Sequence, residues 1–157
     1  MKLQTNTLAR LGELSGPEVA ATKQGQAAQF TLAYEYLWLG VQNLGDANNA
    51  EKGVGLVLKA DEIFTALTET CKNEPDRLAE ASYNLAVCKE TFAVLQPESL
   101  EEAKKAYEEL AKGPLAKTAH GVMATRRMEQ FNNPAQYAQI LTFYKEFKTR
   151  TKFSMPQ

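Results

Sequence analysis

The chain has 157 residues, 44% of them hydrophobic, with a formal net charge of −1 and a sequence pI near 5.9. That length supports one sizeable buried core, and the near-neutral balance argues against nucleic acid as a partner. Cys71 and Cys88 are too few for a disulfide framework and lack C-x-x-C spacing. Each is expected to be a small buried hydrophobe on a helix, the alternative being a bridge between adjacent helices.

Residues 1–25 are the least periodic part, although Leu8, Leu11 and Leu14 can line one face of a short helix before Ser15-Gly16-Pro17 breaks it. Beyond Pro17, the apolar positions Phe30, Ala33, Leu37, Val41 and Leu44 recur at helical spacing. Gly45 is expected to close that helix in the left-handed conformation. After Ala47-Asn48-Asn49, a second helix places Leu56, Ala60, Ile63, Phe64 and Leu67 on one face and stops before Pro75.

Asp76 is expected to cap a third helix whose stripe is Leu78, Ala81, Leu85, Cys88, Phe92 and Leu95. Ser99 and Glu102 have capping-box spacing ahead of a fourth. There Leu100, Ala103, Tyr107 and Leu110 face inward, and Glu101-Lys105 and Glu108-Lys112 stand four apart in the favourable order. Gly113-Pro114 reverses the chain, with Pro114 in the first turn of a helix carrying Ala119, Met123 and Met128 as far as about Phe131. Asn133-Pro134 caps and starts the last helix, which buries Tyr137, Ile140, Leu141, Tyr144 and Phe147. No alternating strand pattern occurs, so the fold class is all-α.

Ala81 and Ala119 are 38 residues apart, and Ala103 and Ile140 in the following helices are 37 apart. A period in that range predicts stacked helical hairpins. The run Ala79-Glu80-Ala81-Ser82-Tyr83-Asn84-Leu85-Ala86, followed by Leu100-Glu101-Glu102-Ala103-Lys104-Lys105-Ala106-Tyr107, resembles one full hairpin of the tetratricopeptide (TPR) family. Ser82 departs from it, standing where that family often has Trp. A weaker unit pairs Leu39-Gly40 with Ala60 to Phe64, and a third pairs Ala119-Met123-Ala124 with Ile140-Tyr144. The resemblance implies a short right-handed superhelix of about three degenerate hairpins over residues 26–148, flanked by an extension at 1–25 and a basic tail at 149–157. Irregular repeats with Pro-containing junctions are also similar to bacterial membrane-anchored tetratricopeptide proteins, the group that includes the ancillary Sec translocon subunit.

No run of about 18 apolar residues occurs, so no segment is expected to span a bilayer, and Met1 to Thr7 lacks the apolar stretch of a secretory signal. Read as complete, the chain is expected in the cytoplasm. If an N-terminal anchor has been removed, the resemblance implies an extracytoplasmic or periplasmic domain.

Catalytic constellations are sparse. His120 is the single histidine and has no carboxylate or thiol on its own helix face within a turn, so neither a zinc site nor a Cys-His nucleophile is expected. Gly53-Val54-Gly55 lacks the further glycine of a nucleotide loop, and the carboxylates Glu101, Glu102, Glu108 and Glu109 lie among lysines on a solvated face. No enzyme activity and no cofactor are expected.

Tyr34, Tyr36 and Trp38 alternate along one helix, so at least one ring must leave the core. Packing against residues 1–25 is the expected use, and contact with a peptide is the alternative. Tyr34 is the candidate ring for that contact, and the family geometry implies a concave face to which Glu80, Tyr83, Val87 and Glu90 contribute, with Tyr83 as the leading contact residue. Charge is split unevenly: residues 115–157 hold seven Lys/Arg and two Asp/Glu, against eleven and seventeen in residues 1–114. Arg126 and Arg127, with Lys145, Lys148, Arg150 and Lys152, are therefore expected to face an acidic partner or a phosphate-rich surface. The expected function is a non-catalytic module that binds a protein or peptide segment within a larger or membrane-associated bacterial assembly. The alternative is a structural repeat subunit that self-assembles through its unlike ends.

Overall fold

The structure is a computed structural model that describes residues 9–13, 19, 22–46 and 48–151, with side chains through 147. The helical spacing in the sequence is realised as six helices: α1 (Lys23–Leu44), α2 (Ala50–Thr70), α3 (Pro75–Phe92), α4 (Ser99–Lys112), α5 (Ala119–Asn132) and α6 (Pro134–Thr151). A further helical turn spans 9–13 and includes Leu11, whereas Leu8 and Leu14 lie outside the described residues. No strand occurs among the described residues, and no helix there is long and apolar enough to cross a membrane.

Which residues meet shows how the helices run. Gln26 of α1 donates through its side chain to the Thr70 carbonyl of α2, Phe30 faces Phe64 at 6.3 Å between ring centroids, and Gly40 abuts Gly53 and Val57. Rising numbers on α1 thus meet falling numbers on α2, so the pair is antiparallel. By contrast Gln26 and Tyr34 of α1 meet Arg77 and Asn84 of α3, and Tyr83 and Glu90 of α3 meet His120 and Arg127 of α5. Helices α1, α3 and α5 therefore lie side by side and parallel, with α2 and α4 behind them.

The core follows this arrangement. Phe64, Leu67, Val57, Leu100, Tyr107, Cys71 and Cys88 are fully buried along α2, α3, α4 and the turn after α2. Burial of each large apolar side chain contributes about 2 kcal/mol. Helix α3 is enclosed by its neighbours: no residue from Arg77 to Phe92 is exposed. Small residues set the closest approaches, since a Cβ on Gly121 of α5 would lie 2.2 Å from the Leu115 carbonyl oxygen of the preceding loop.

Several local expectations are corrected. Gly45 is right-handed, at φ −71° and ψ −13°, because the chain turns tightly into Asp46, whose backbone N–H donates to the Asn43 carbonyl. Asp76 is not the cap of α3, which begins one residue earlier at Pro75 and leaves Asp76 in the first turn, where the positive end of the helix dipole favours its charge. The Ser99-Glu102 box does not form, because Ser99 is already helical and its N–H donates to the Gln96 carbonyl. Pro114 lies in a loop, and α5 starts at Ala119, capped by Thr118, whose hydroxyl accepts from the Gly121 N–H at 3.0 Å. Met123 and Ala119 are exposed, whereas Gly121, Ala124, Met128 and Phe131 are buried. Asn133 does cap α6, accepting from the N–H groups of Ala135 and Gln136 at 3.1 and 3.2 Å. Cys71 and Cys88 are both free and buried. The helix at the end of the chain runs through Thr151, and residues 152–157 lie outside the described residues.

Candidate functional site

Residues expected to contact a partner, Arg126 excepted, fall into two groups. At the α1–α3 junction the Tyr34 hydroxyl donates to Glu80 Oε1 at 2.7 Å and accepts from Asn84 Nδ2 at 3.0 Å. The Tyr34 ring also meets Phe64 edge-on, at 5.5 Å between centroids. Burial first, then the Glu80 carboxylate, pushes the Tyr34 phenol well above its ordinary range.

Along α3 and α5, Tyr83, Val87, Glu90 and Arg127 line one open cleft of about 340 Å³, closed on its other sides by Tyr107 of α4 and Tyr144 of α6. Glu90 is the centre of this group and is buried. Its Oε2 accepts from Arg127 Nε at 3.1 Å and from the Tyr107 hydroxyl at 3.0 Å. Its Oε1 accepts from the Tyr144 hydroxyl at 3.0 Å and from Arg127 Nη2. Four donors from three helices thus converge on one carboxylate. Burial first, then the Glu90 charge, raises the phenols of Tyr83, Tyr107 and Tyr144. Arg127 is held further by the Phe131 ring, 4.8 Å from its guanidinium carbon. Burying such charges is sustainable only with this degree of pairing.

Glu90 and Arg127, both expected to face a partner, spend their charges on each other. Glu80 is likewise engaged with Tyr34. Arg126, next to Arg127 in sequence, is exposed and belongs to neither group. Tyr83 is half-buried, its ring 5.4 Å from Tyr107 and 5.6 Å from His120 between centroids. Among the described residues no group of three His, Cys, Asp or Glu side chains is placed to hold a metal.

Apolar residues also stand open on α1 and α5, Trp38 among them as the alternation at 34, 36 and 38 required, and Val41 against its place in the apolar stripe. Trp38 is 51% exposed and Val41 50% exposed, continuing on α1 the stripe that begins at Tyr34. Met123 and Val122 are exposed on α5, Met123 one turn beyond His120. Tyr36 is half-buried, with the Lys59 ammonium 5.5 Å from its ring centroid. Alternation at 34, 36 and 38 was the available signal, since three rings two apart cannot share a helix face. Comparison with family models, with curated proteins and with solved structures finds no match to this chain.

Proposed function

We propose that this chain is a non-catalytic, TPR-like protein-interaction module whose recognising face is formed by the parallel helices α1, α3 and α5. The observation that carries this reading is the lateral placement of those helices, with Tyr34, Trp38 and Val41 open along α1 and Met123 open along α5. Two contact pairs support the repeat interpretation: Tyr83 with His120, and Glu90 with Arg127, are each separated by 37 positions, close to the sequence period. A segment laid across the three helices would bury apolar area on preformed elements and so incur little ordering cost. The exposed Arg126 gives one edge of that face a positive charge that favours an acidic segment. Service within a larger or membrane-associated bacterial assembly is the setting we infer from the family resemblance.

Trp38 is the single tryptophan, so its emission reports on the face directly. A partner purified on the immobilised wild-type protein from soluble and membrane fractions should shift that emission to the blue and lose at least tenfold in affinity on Trp38→Ala or Tyr83→Ala. Unchanged emission together with unchanged affinity in both variants would exclude this face.

One observation favours a second reading, self-assembly. Phe143 on α6 is 57% exposed and offers an apolar contact at the end of the helix stack, where a second copy could stack. Light scattering should then show an oligomer that dissociates as salt screens its unlike ends and that is lost in Phe143→Glu.

A further inference from the structure

Every exposed position of α4 is charged. Glu102, Lys105, Glu109 and Lys112 follow one another at intervals of three, four and three residues, which sets them in one stripe along the helix. Glu101, four residues before Lys105, accepts instead from the Tyr137 hydroxyl of α6. Among the described residues the side chains of Glu102, Lys105 and Glu109 make no ion pair or hydrogen bond. Lys112 meets Glu108 on the surface, where such a pair contributes little and is readily exchanged.

A trough runs beside the stripe for the length of α4. Open clefts of about 250, 230 and 300 Å³ succeed one another along it, the first and second sharing Glu102, the second and third sharing Lys89, Ala106 and Glu109. Its floor is Lys89 of α3, on a different side of that helix from Tyr83 and Glu90, which line the α3–α5 cleft. Its ends are apolar. Leu58 of α2 stands 48% exposed at one, and Leu85 and Leu115 are half-buried at the other.

The stripe is its own complement. Its signs run minus, plus, minus, plus towards the C-terminus, and an antiparallel copy presents plus, minus, plus, minus at the same spacing. Laid together, Glu102 meets Lys112 of the second copy and Lys105 meets its Glu109, and two-fold symmetry repeats both contacts. No like charges meet within the stripe. A parallel copy in register would oppose like charges at every position.

We propose that two copies of this chain pair back to back through α4, antiparallel and in the register that sets Lys105 against Glu109 of the second copy. A contact that uses the same patch on both subunits closes at two. Charge fixes its register, and the apolar ends of the trough supply area removed from water. The α3–α5 cleft of each subunit stays uncovered, so the pair would offer two recognising faces to a ligand that repeats. The pairing itself rests neither on that face nor on stacking of the ends.

The test needs only the chain itself. Sedimentation equilibrium at low salt should give a dimer that weakens as salt is added. Lys105→Glu and Glu109→Lys each set like charges together in both symmetric contacts, and each should weaken the dimer by at least about tenfold. An equimolar mixture of the two variants should return to within about threefold of the wild-type affinity, because the two changes answer each other across the interface. Both positions are exposed, and unchanged circular dichroism of the variants checks that α4 is intact. Phe143→Glu should leave the pair whole. A wild-type chain that stays monomeric would overturn the proposal, leaving the trough to a different protein or to solvent. A dimer indifferent to both changes, or a mixture no tighter than its components, would overturn it too. Larger oligomers lost in Phe143→Glu would assign self-association to the ends instead. No ligand enters these measurements, so their failure leaves the recognising face standing, and loss of that face through Trp38 leaves the dimer standing.

Discussion

Gly40 and Gly53 bring α1 and α2 into backbone contact: a Cβ at Gly53 would lie 2.9 Å from the Gly40 carbonyl oxygen and 2.7 Å from the Leu44 nitrogen. Both obstacles are main chain and cannot turn aside. Gly53→Ala is therefore expected to cost about 2 kcal/mol, overpacking outweighing the gain of about 1 kcal/mol in helix propensity. Gly55, two residues on, has nothing within 4 Å of the same added atom. Gly55→Ala should stabilise by about 0.5 to 1 kcal/mol. Urea unfolding of the two variants should give midpoints on opposite sides of the wild type, and displacement in the same direction would refute the packing argument.

Removing the carboxylate charge at the centre of the cleft should be costly. Glu90→Gln leaves the Arg127 guanidinium largely buried without its anion, and a loss of about 3 kcal/mol is expected. Arg127→Met should be similarly damaging, while the double variant should lose less than the sum of the singles by about 1 to 3 kcal/mol. Strict additivity in that cycle would mean that the two residues do not interact in solution.

Alkaline pH should weaken the attachment of α6 before it unfolds the remainder. Acceptance by Glu101, then burial, pushes the Tyr137 phenol from 10.0 up to about 12. The folded protein therefore holds this proton more tightly than the unfolded chain. Its contribution is complete below pH 10 and fades as pH rises through about 12. Tyr144, raised further by burial and by Glu90, holds its proton beyond that window. Absorbance titration of tyrosinate should place Tyr137 ahead of Tyr144, and Tyr137→Phe should flatten the loss of stability between pH 10 and 12.

Neither native thiol should react near neutral pH. Burial raises the thiols of Cys71 and Cys88, and both lie wholly inside. Aromatic disulfide reagents should label neither in the folded state and both after denaturation. Rapid labelling of either thiol in the native protein would contradict the packing around α3.

Helix number and type were legible because Phe30, Phe64, Leu67, Leu100, Tyr107 and Tyr144 recur at helical spacing and are all buried. Helix starts were less so. Ser99 with Glu102 satisfies the spacing of a capping box, yet the turn from Gln96 already supplies the Ser99 N–H with an acceptor and the helix begins sooner. The face of α5 was misjudged because its tightest contacts are made by Gly121 and Ala124, which carry little apolar signal, while the larger Met123 faces out. At the site, charge alone could not tell that Glu90 and Arg127 answer each other, since their pairing depends on how α3 and α5 register. Trp38 was legible in outline, being a ring that the alternation at 34, 36 and 38 sends out of the core.

The Glu90 knot also bears on how the chain is made. Arg127 follows Glu90 by 37 residues and Tyr144 by 54. At about 5 to 20 residues per second, the carboxylate waits roughly 2 to 7 s on the ribosome before its guanidinium has even been synthesised. During that interval α1 to α4 can pair, but α3 carries a charge meant for an interior that does not yet exist. The amino-terminal half should therefore remain provisional until α5 arrives, and any chaperone that attends this protein during translation should meet it in that window.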